Sequence, residues 1–159
     1  MERNVTFGLE AHETPCLEAI ELARFAPVLA RLSRGVATNI AEKGVNLRQA
    51  KQRLVLARGL FFARDSELVL LDEPTSSVDT YNERLIYTGV LNRFRDKCLV
   101  SSIHKLHLLD LFDQIYVLDG GKIVESGEFY SLLKSDGALA RMWKQYQVGA
   151  GDMVSVGGE

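Results

Sequence analysis

The sequence predicts an α/β fold, a parallel sheet with flanking helices, and three observations carry that expectation. Residues 68–71 are an unbroken apolar run, Leu-Val-Leu-Leu, with the length and character of a strand buried on both faces. A segment with helical periodicity follows it. A second short apolar run at 98–103 follows that helix, and parallel neighbours need such a crossover between them.

Taken in chain order, the first half reads as helical. Thr14 and Pro15 supply an N-cap and a first helical position, with Leu17, Ile20, Leu22 and Ala23 as the apolar face. Pro27 opens a short helical turn through Leu32, and residues 34–44 have loop character. Asn46 with Gln49 three residues later forms a capping-box pattern. Leu54, Leu56, Ala57, Leu60 and Phe61 continue that helix at the right spacing as far as Arg64.

Pro74 has no N–H to donate and ends the first strand's ladder after Asp72 and Glu73. Thr80 with Glu83 makes a second capping box, opening a helix that carries Leu85, Ile86, Val90 and Phe94 on one side. After the second strand, residues 106–112 read as a helix. Apolar runs at 115–118 and 122–125 flank Asp119-Gly120-Gly121, a hairpin turn because Gly tolerates positive φ. Helices over 129–134 and 138–146 close the domain, and the Gly-rich residues from 148 onward read as a frayed end. The organisation is then a mostly helical portion over 1–64, a core portion over 65–147 and a tail over 148–159.

Of the 159 residues, 47% are hydrophobic and 25% charged, the composition of a single soluble domain with a real core. A net charge of −2 leaves no electrostatic footprint for nucleic acid or an anionic membrane, so any phosphate binding must be local. Cys16 and Cys98 belong to no CxxC or Cys/His cluster, which argues against a disulfide framework or a zinc site and for a reducing, cytosolic setting. No apolar stretch approaches bilayer-spanning length and the amino terminus lacks a signal pattern, so membrane association has to run through a partner.

The chemistry concentrates at the end of the first strand. Ligands of open α/β sheets bind outside the carboxyl ends of the strands, and Asp72 and Glu73 emerge there as adjacent acids suited to holding Mg2+ and orienting or deprotonating a water. His104 follows the second strand and would emerge on the same edge. His12 and His107 read as ordinary polar residues.

Residues 67–79, Glu-Leu-Val-Leu-Leu-Asp-Glu-Pro-Thr-Ser-Ser-Val-Asp, closely resemble the Walker B strand and D-loop of the ATP-binding cassette (ABC) ATPases. Ser-Ser-Ile-His at 101–104 resembles the segment that carries the switch histidine of that family. Residues 44–58 resemble the signature helix. Gln52-Arg53 and Ala57-Arg58 match it, but the stretch between Leu47 and Arg53 is one residue short and lacks the family's serine and glycines. A helix amino terminus attracts phosphate through unpaired N–H groups and its dipole, whereas Arg48 and Lys51 crowd the space that glycines leave open. Thr38-Asn39-Ile40-Ala41-Glu42-Lys43-Gly44 is similar to the exporter-specific loop, and Arg3-Asn4-Val5-Thr6-Phe7-Gly8 to the segment after the Q-loop.

The resemblance runs from about residue 3 to 147 and covers only the later part of a cassette. No Gly-x-x-x-x-Gly-Lys-Ser/Thr occurs, and the adenine-stacking aromatic residue and the Q-loop glutamine have no counterpart. It implies part of a P-loop NTPase (RecA-like) sheet with flanking helices, together with the later part of the ABC helical subdomain. It further implies that Asp72 holds Mg2+ through water, Glu73 polarises the attacking water, His104 senses the γ-phosphate and Asp79 links two sites. Ser76, Asn46, Leu47, Arg48 and Gln49 fall on the nucleotide-binding side. The implied cofactors are ATP and Mg2+, both only in a completed cassette.

The implied partners are an ABC transmembrane domain, met through the Glu42 loop at the cytoplasmic face of the membrane, and a second cassette in a head-to-tail dimer; no nucleic acid is implied. The function that follows is the ATPase portion of an exporter, and the chain by itself is not expected to hydrolyse ATP. The alternative is a non-catalytic, cassette-like docking or regulatory module, which the altered signature favours.

Overall fold

A computed structural model describes the backbone of residues 13–29 and 47–152 and the side chains of 15–27 and 51–148. The chain divides into two compact units, residues 1–102 and 103–159. In the first, α1 (Glu13–Leu22) and α2 (Ala26–Leu29) precede α3 (Leu47–Ala63), β1 (Leu68–Asp72), α4 (Thr80–Arg93) and β2 (Cys98–Ser102). β1 and β2 pair in parallel, in register from Leu68↔Cys98 to Asp72↔Ser102, with α4 as the crossover.

One core holds this unit together. Cys16, Ala19, Ile20 and Ala23 meet Leu54, Leu56, Ala57, Leu60 and Phe61 from α3, and Val69, Ile86, Val90 and Phe94 complete the cluster. The apolar positions expected on α3 are all buried. α1 packs against α3 and α4, and Arg93 Nε reaches Glu18 Oε1 at 2.6 Å across the α1–α4 seam.

Several local expectations shift. The first helix begins at Glu13, so Thr14 lies inside it and Pro15 occupies its third position, where a missing N–H is still harmless. The second starts one residue before Pro27. α4 is capped by Asp79 and not by Thr80: the Asp79 Oδ1 accepts the Asn82 N–H at 3.0 Å, and Thr80 is already helical. The Glu83 side chain is therefore released from capping and turns inward. β1 is buried on one face only, since Val69 is 4% exposed while Leu68 and Leu70 on the other face are 51% and 69% exposed.

The second unit carries the helix expected after β2 as a 3-10 helix (Leu106–Leu111), then β3 (Ile115–Asp119), β4 (Lys122–Gly127), α5 (Phe129–Lys134) and α6 (Ala138–Asp152). β3 and β4 form the expected antiparallel hairpin. Asp119 pairs with Lys122, and Gly120 and Gly121 have φ of 52° and 76°, as a two-residue turn requires. Leu106, Leu109, Ile115, Val117, Phe129, Leu132 and Leu139 form its core.

α6 continues past Tyr146 to Asp152, because no proline interrupts it, so residues 148–152 are helical and not frayed. Its start is held from outside. Gly137 has no side chain to cap with, and Glu125 of β4 instead accepts the N–H groups of Ala138 and Leu139 at 2.7 and 2.9 Å. No helix among the described residues is long and apolar enough to cross a membrane.

Candidate active site

The parallel register brings the ends of β1 and β2 level, which sets Ser102 opposite Asp72. The Ser102 hydroxyl donates to Asp72 Oδ1 at 2.6 Å and accepts the Glu73 backbone N–H at 3.1 Å. Glu73 itself has φ of +40°, a left-handed conformation uncommon for a residue with a Cβ. The two acids thus stand exposed at the strand's carboxyl end, where the sequence placed them, and the chain leaves the sheet there in a strained turn.

The turn of residues 73–79 is fastened at several points. Ser76 N–H donates to Glu73 O at 3.3 Å, and Val78 N–H to Thr75 O at 2.9 Å. Gln52, projecting from α3, spans the turn. Its Nε2 donates to Ser76 Oγ at 2.8 Å and its Oε1 accepts the Ser77 N–H at 3.1 Å and the Ser77 hydroxyl. Beneath it, Thr75 Oγ1 donates to Glu83 Oε1 at 2.6 Å, and both residues are buried. Tyr87, one helical turn further along α4, shares a 2.9 Å hydrogen bond with Ser101 Oγ; burial pushes its phenol pKa above the usual value.

Asp79 closes the turn. Its two carboxylate oxygens take the Asn82 N–H at 3.0 Å and the Asn82 side-chain amide at 2.8 Å, and these bonds hold its carboxyl below the ordinary range. Arg53, adjacent to Gln52, donates from Nη1 to the Arg24 carbonyl at 2.6 Å; burial lowers its pKa, and nearby Asp79 opposes that shift. A groove of about 490 Å3 runs between α3 and β1, lined by Val55, Phe62, Leu68 and Leu70 and ending at Asp72 and Glu73.

Of the residues singled out from sequence, Asp72, Glu73, Ser76 and Asp79 fall within this one constellation. His104 belongs to the second unit, two residues beyond the end of β2. Leu47, Arg48 and Gln49 form the first turn of α3, and Asn46 and Glu42 lie outside the described residues. Gln52, Thr75, Glu83 and Ser102 lie in motifs read from the sequence but were not singled out as partners of the acidic turn, and Tyr87 carried no signal of its own. The one visible hint was a serine pair closing an otherwise apolar strand.

Among the described residues no group of three or more His, Cys, Asp or Glu side chains could hold a metal ion. Mg2+ bound to phosphates takes one or two carboxylates and completes its shell with phosphates and water. The exposed carboxylate of Asp72 suits such a donor set.

No protein-family model matches the chain. It is 36% identical over 144 residues to an ATP-dependent lipid A-core flippase of Pseudoalteromonas atlantica, an alignment covering 89% of this chain and 24% of the flippase. It is 33% identical over 152 residues to ATP-binding cassette sub-family C member 2 of Rattus norvegicus, covering 93% of this chain and 10% of that protein. A solved bacterial Atm1-family ABC exporter with ATP bound superposes with a TM-score of 0.78 at 31% identity, covering 91% of this chain and 25% of that one. The chain therefore spans a quarter or less of the length of these relatives. By sequence and by fold, the chain belongs to the exporter-type ABC family.

Proposed function

We propose that this chain is the hydrolytic half of an exporter cassette, coupling ATP binding and hydrolysis to transport once a phosphate-cradling portion completes it. The observation that carries the reading is the pair of exposed acids at the end of β1, held in a turn that is tied to β2, α3 and α4. Asp72 serves as the water-mediated Mg2+ ligand and Glu73 as the group that orients and polarises the attacking water. Bound Mg2+ supplies charge neutralisation on the phosphates. Asp79 links the site to that of a second cassette, His104 reads the terminal phosphate, Ser76 lies on the nucleotide-binding side, and Leu47, Arg48 and Gln49 begin the helix directed at the nucleotide. The Glu42 loop meets the transmembrane domain at the cytoplasmic face.

No Gly-x-x-x-x-Gly-Lys-Ser/Thr lies within the 159 residues, so the backbone cradle for the phosphates comes from outside them. The exposed apolar side of β1 and the groove beside it supply surface for that portion to pack on. Glu73→Gln in the assembled transporter tests the reading: ATP turnover should fall by about 100-fold or more, the scale of a lost general base, with nucleotide binding retained. Full turnover by that variant would refute it.

A further inference from the structure

Both acids of the proposed hydrolytic site meet one hydroxyl, and it belongs to another strand. A serine hydroxyl has one proton to give and two lone pairs to offer. At Ser102 the proton goes to Asp72 Oδ1 at 2.6 Å, a separation typical of a charge-assisted O–H···O bond, and a lone pair takes the Glu73 N–H at 3.1 Å. The same hydroxyl thus fixes the Asp72 carboxylate and satisfies the amide of the residue whose backbone is left-handed. Such a conformation is unfavourable for a residue with a Cβ and persists only where surrounding contacts over-determine it.

We propose that Ser102 is a positioning residue for hydrolysis, a clamp that holds the Asp72 carboxylate and the Glu73 backbone in one geometry. The proposal rests on the hydrolytic reading of the two acids. The hydroxyl touches neither nucleotide nor water in this role; it acts through its two neighbours. With its proton committed to Oδ1, it biases which carboxylate oxygen is left for a metal-bound water. By accepting the Glu73 N–H it fixes the direction in which the Glu73 side chain leaves the strand. Ser101, its neighbour, bonds Tyr87 of α4, so the end of β2 is anchored to the helix while Ser102 is committed to the acids.

Ser102→Ala and Ser102→Thr test the clamp, the second because threonine keeps the hydroxyl and suits a strand. In the full chain, Ser102→Ala is expected to speed hydrogen exchange of the Glu73 amide about 10-fold relative to its neighbours on β1. In the assembled transporter it should lower kcat for ATP about 10-fold and leave KM within about twofold, since a tenfold rate loss corresponds to one modest hydrogen bond's worth of barrier. Ser102→Thr should restore both. Unchanged Glu73 exchange in Ser102→Ala overturns the clamp, as does unchanged kcat where Glu73→Gln is inactive. Full turnover by Glu73→Gln instead refutes the hydrolytic reading, and the exchange measurement then decides the clamp by itself.

Discussion

The Oε1 of Gln52 accepts the backbone N–H of Ser77 at 3.1 Å, so α3 is joined to the acidic turn by a side chain that reaches 25 residues along the chain. The same amide donates to Ser76 Oγ, and a terminal amide bonded at both its oxygen and its nitrogen has little freedom left. A displacement of α3 is therefore felt in the turn that carries Glu73.

Gln52→Ala removes these bonds together with the one from the Ser77 hydroxyl. Partly exposed bonds of this kind, whose groups can turn to water, are worth about 1–2 kcal/mol together. Chemical denaturation should show a loss of that size, and the Ser77 amide should exchange faster. Undiminished protection at Ser77 would mean that the turn holds itself.

Thr75→Val keeps the shape of the side chain and deletes the donor to Glu83, leaving a buried carboxylate oxygen without that bond. Hydrogen bonds to charged groups are worth about 1.5–3 kcal/mol, so the urea midpoint should fall accordingly. A stability equal to the parent's would show that the remaining contacts of Glu83 suffice.

Glu125 and Gly137 make a linked pair in the second unit. Removing the cap with Glu125→Ala should destabilise α6 by about 1–2 kcal/mol. Gly137→Ala should cost a similar amount by a different route, since its Cβ would lie 1.5 Å from Glu125 Oε1 and force the carboxylate off the helix end. The two losses share one cause, so the double variant should be little worse than Glu125→Ala. Simple additivity in denaturation would sink this account.

Acid should loosen the start of α4 through Asp79. Its folded pKa is depressed, so its contribution is complete above the ordinary carboxylate value of ~3.9 and is lost as pH falls through the lower, folded value. Asp79→Asn keeps a good N-cap and cannot titrate, so it should flatten that part of the acid limb without melting the helix at neutral pH. Amide shifts of Asn82 and Glu83 across an acid titration check this.

The uncovered face of β1–β2 should drive self-association. Leu70 and Val100 are 69% and 53% exposed on it, and apolar strand surface of this kind recruits other chains. Leu70→Thr with Val100→Thr should lower association in light scattering and leave the melting temperature close to the parent's. Equal association would place the sticky surface elsewhere.

What the sequence determined alone was whatever is encoded over short distances. The β1–α4–β2 unit, the Gly120-Gly121 hairpin and the inward face of α3 follow from periodicity and turn chemistry, and all appear in the fold. The acidic pair at the end of β1 was legible for the same reason, because an apolar run followed by Asp72, Glu73 and Pro74 has few other readings. The choice of cap on α4 was less so. Asp79 and Thr80 are neighbours that both cap well, and the decision went to Asp79, which leaves the Glu83 side chain to meet Thr75.

Only the tertiary structure decided which distant groups meet. Ser102 lies 30 residues from Asp72 and Gln52 25 residues from Ser77, and no local pattern marks either bond. Parallel register makes the first possible, and the packing of α3 beside β1 makes the second possible. A hydrogen bond needs its partners placed to within a few tenths of an ångström, and chain periodicity alone conveys no such distance between elements.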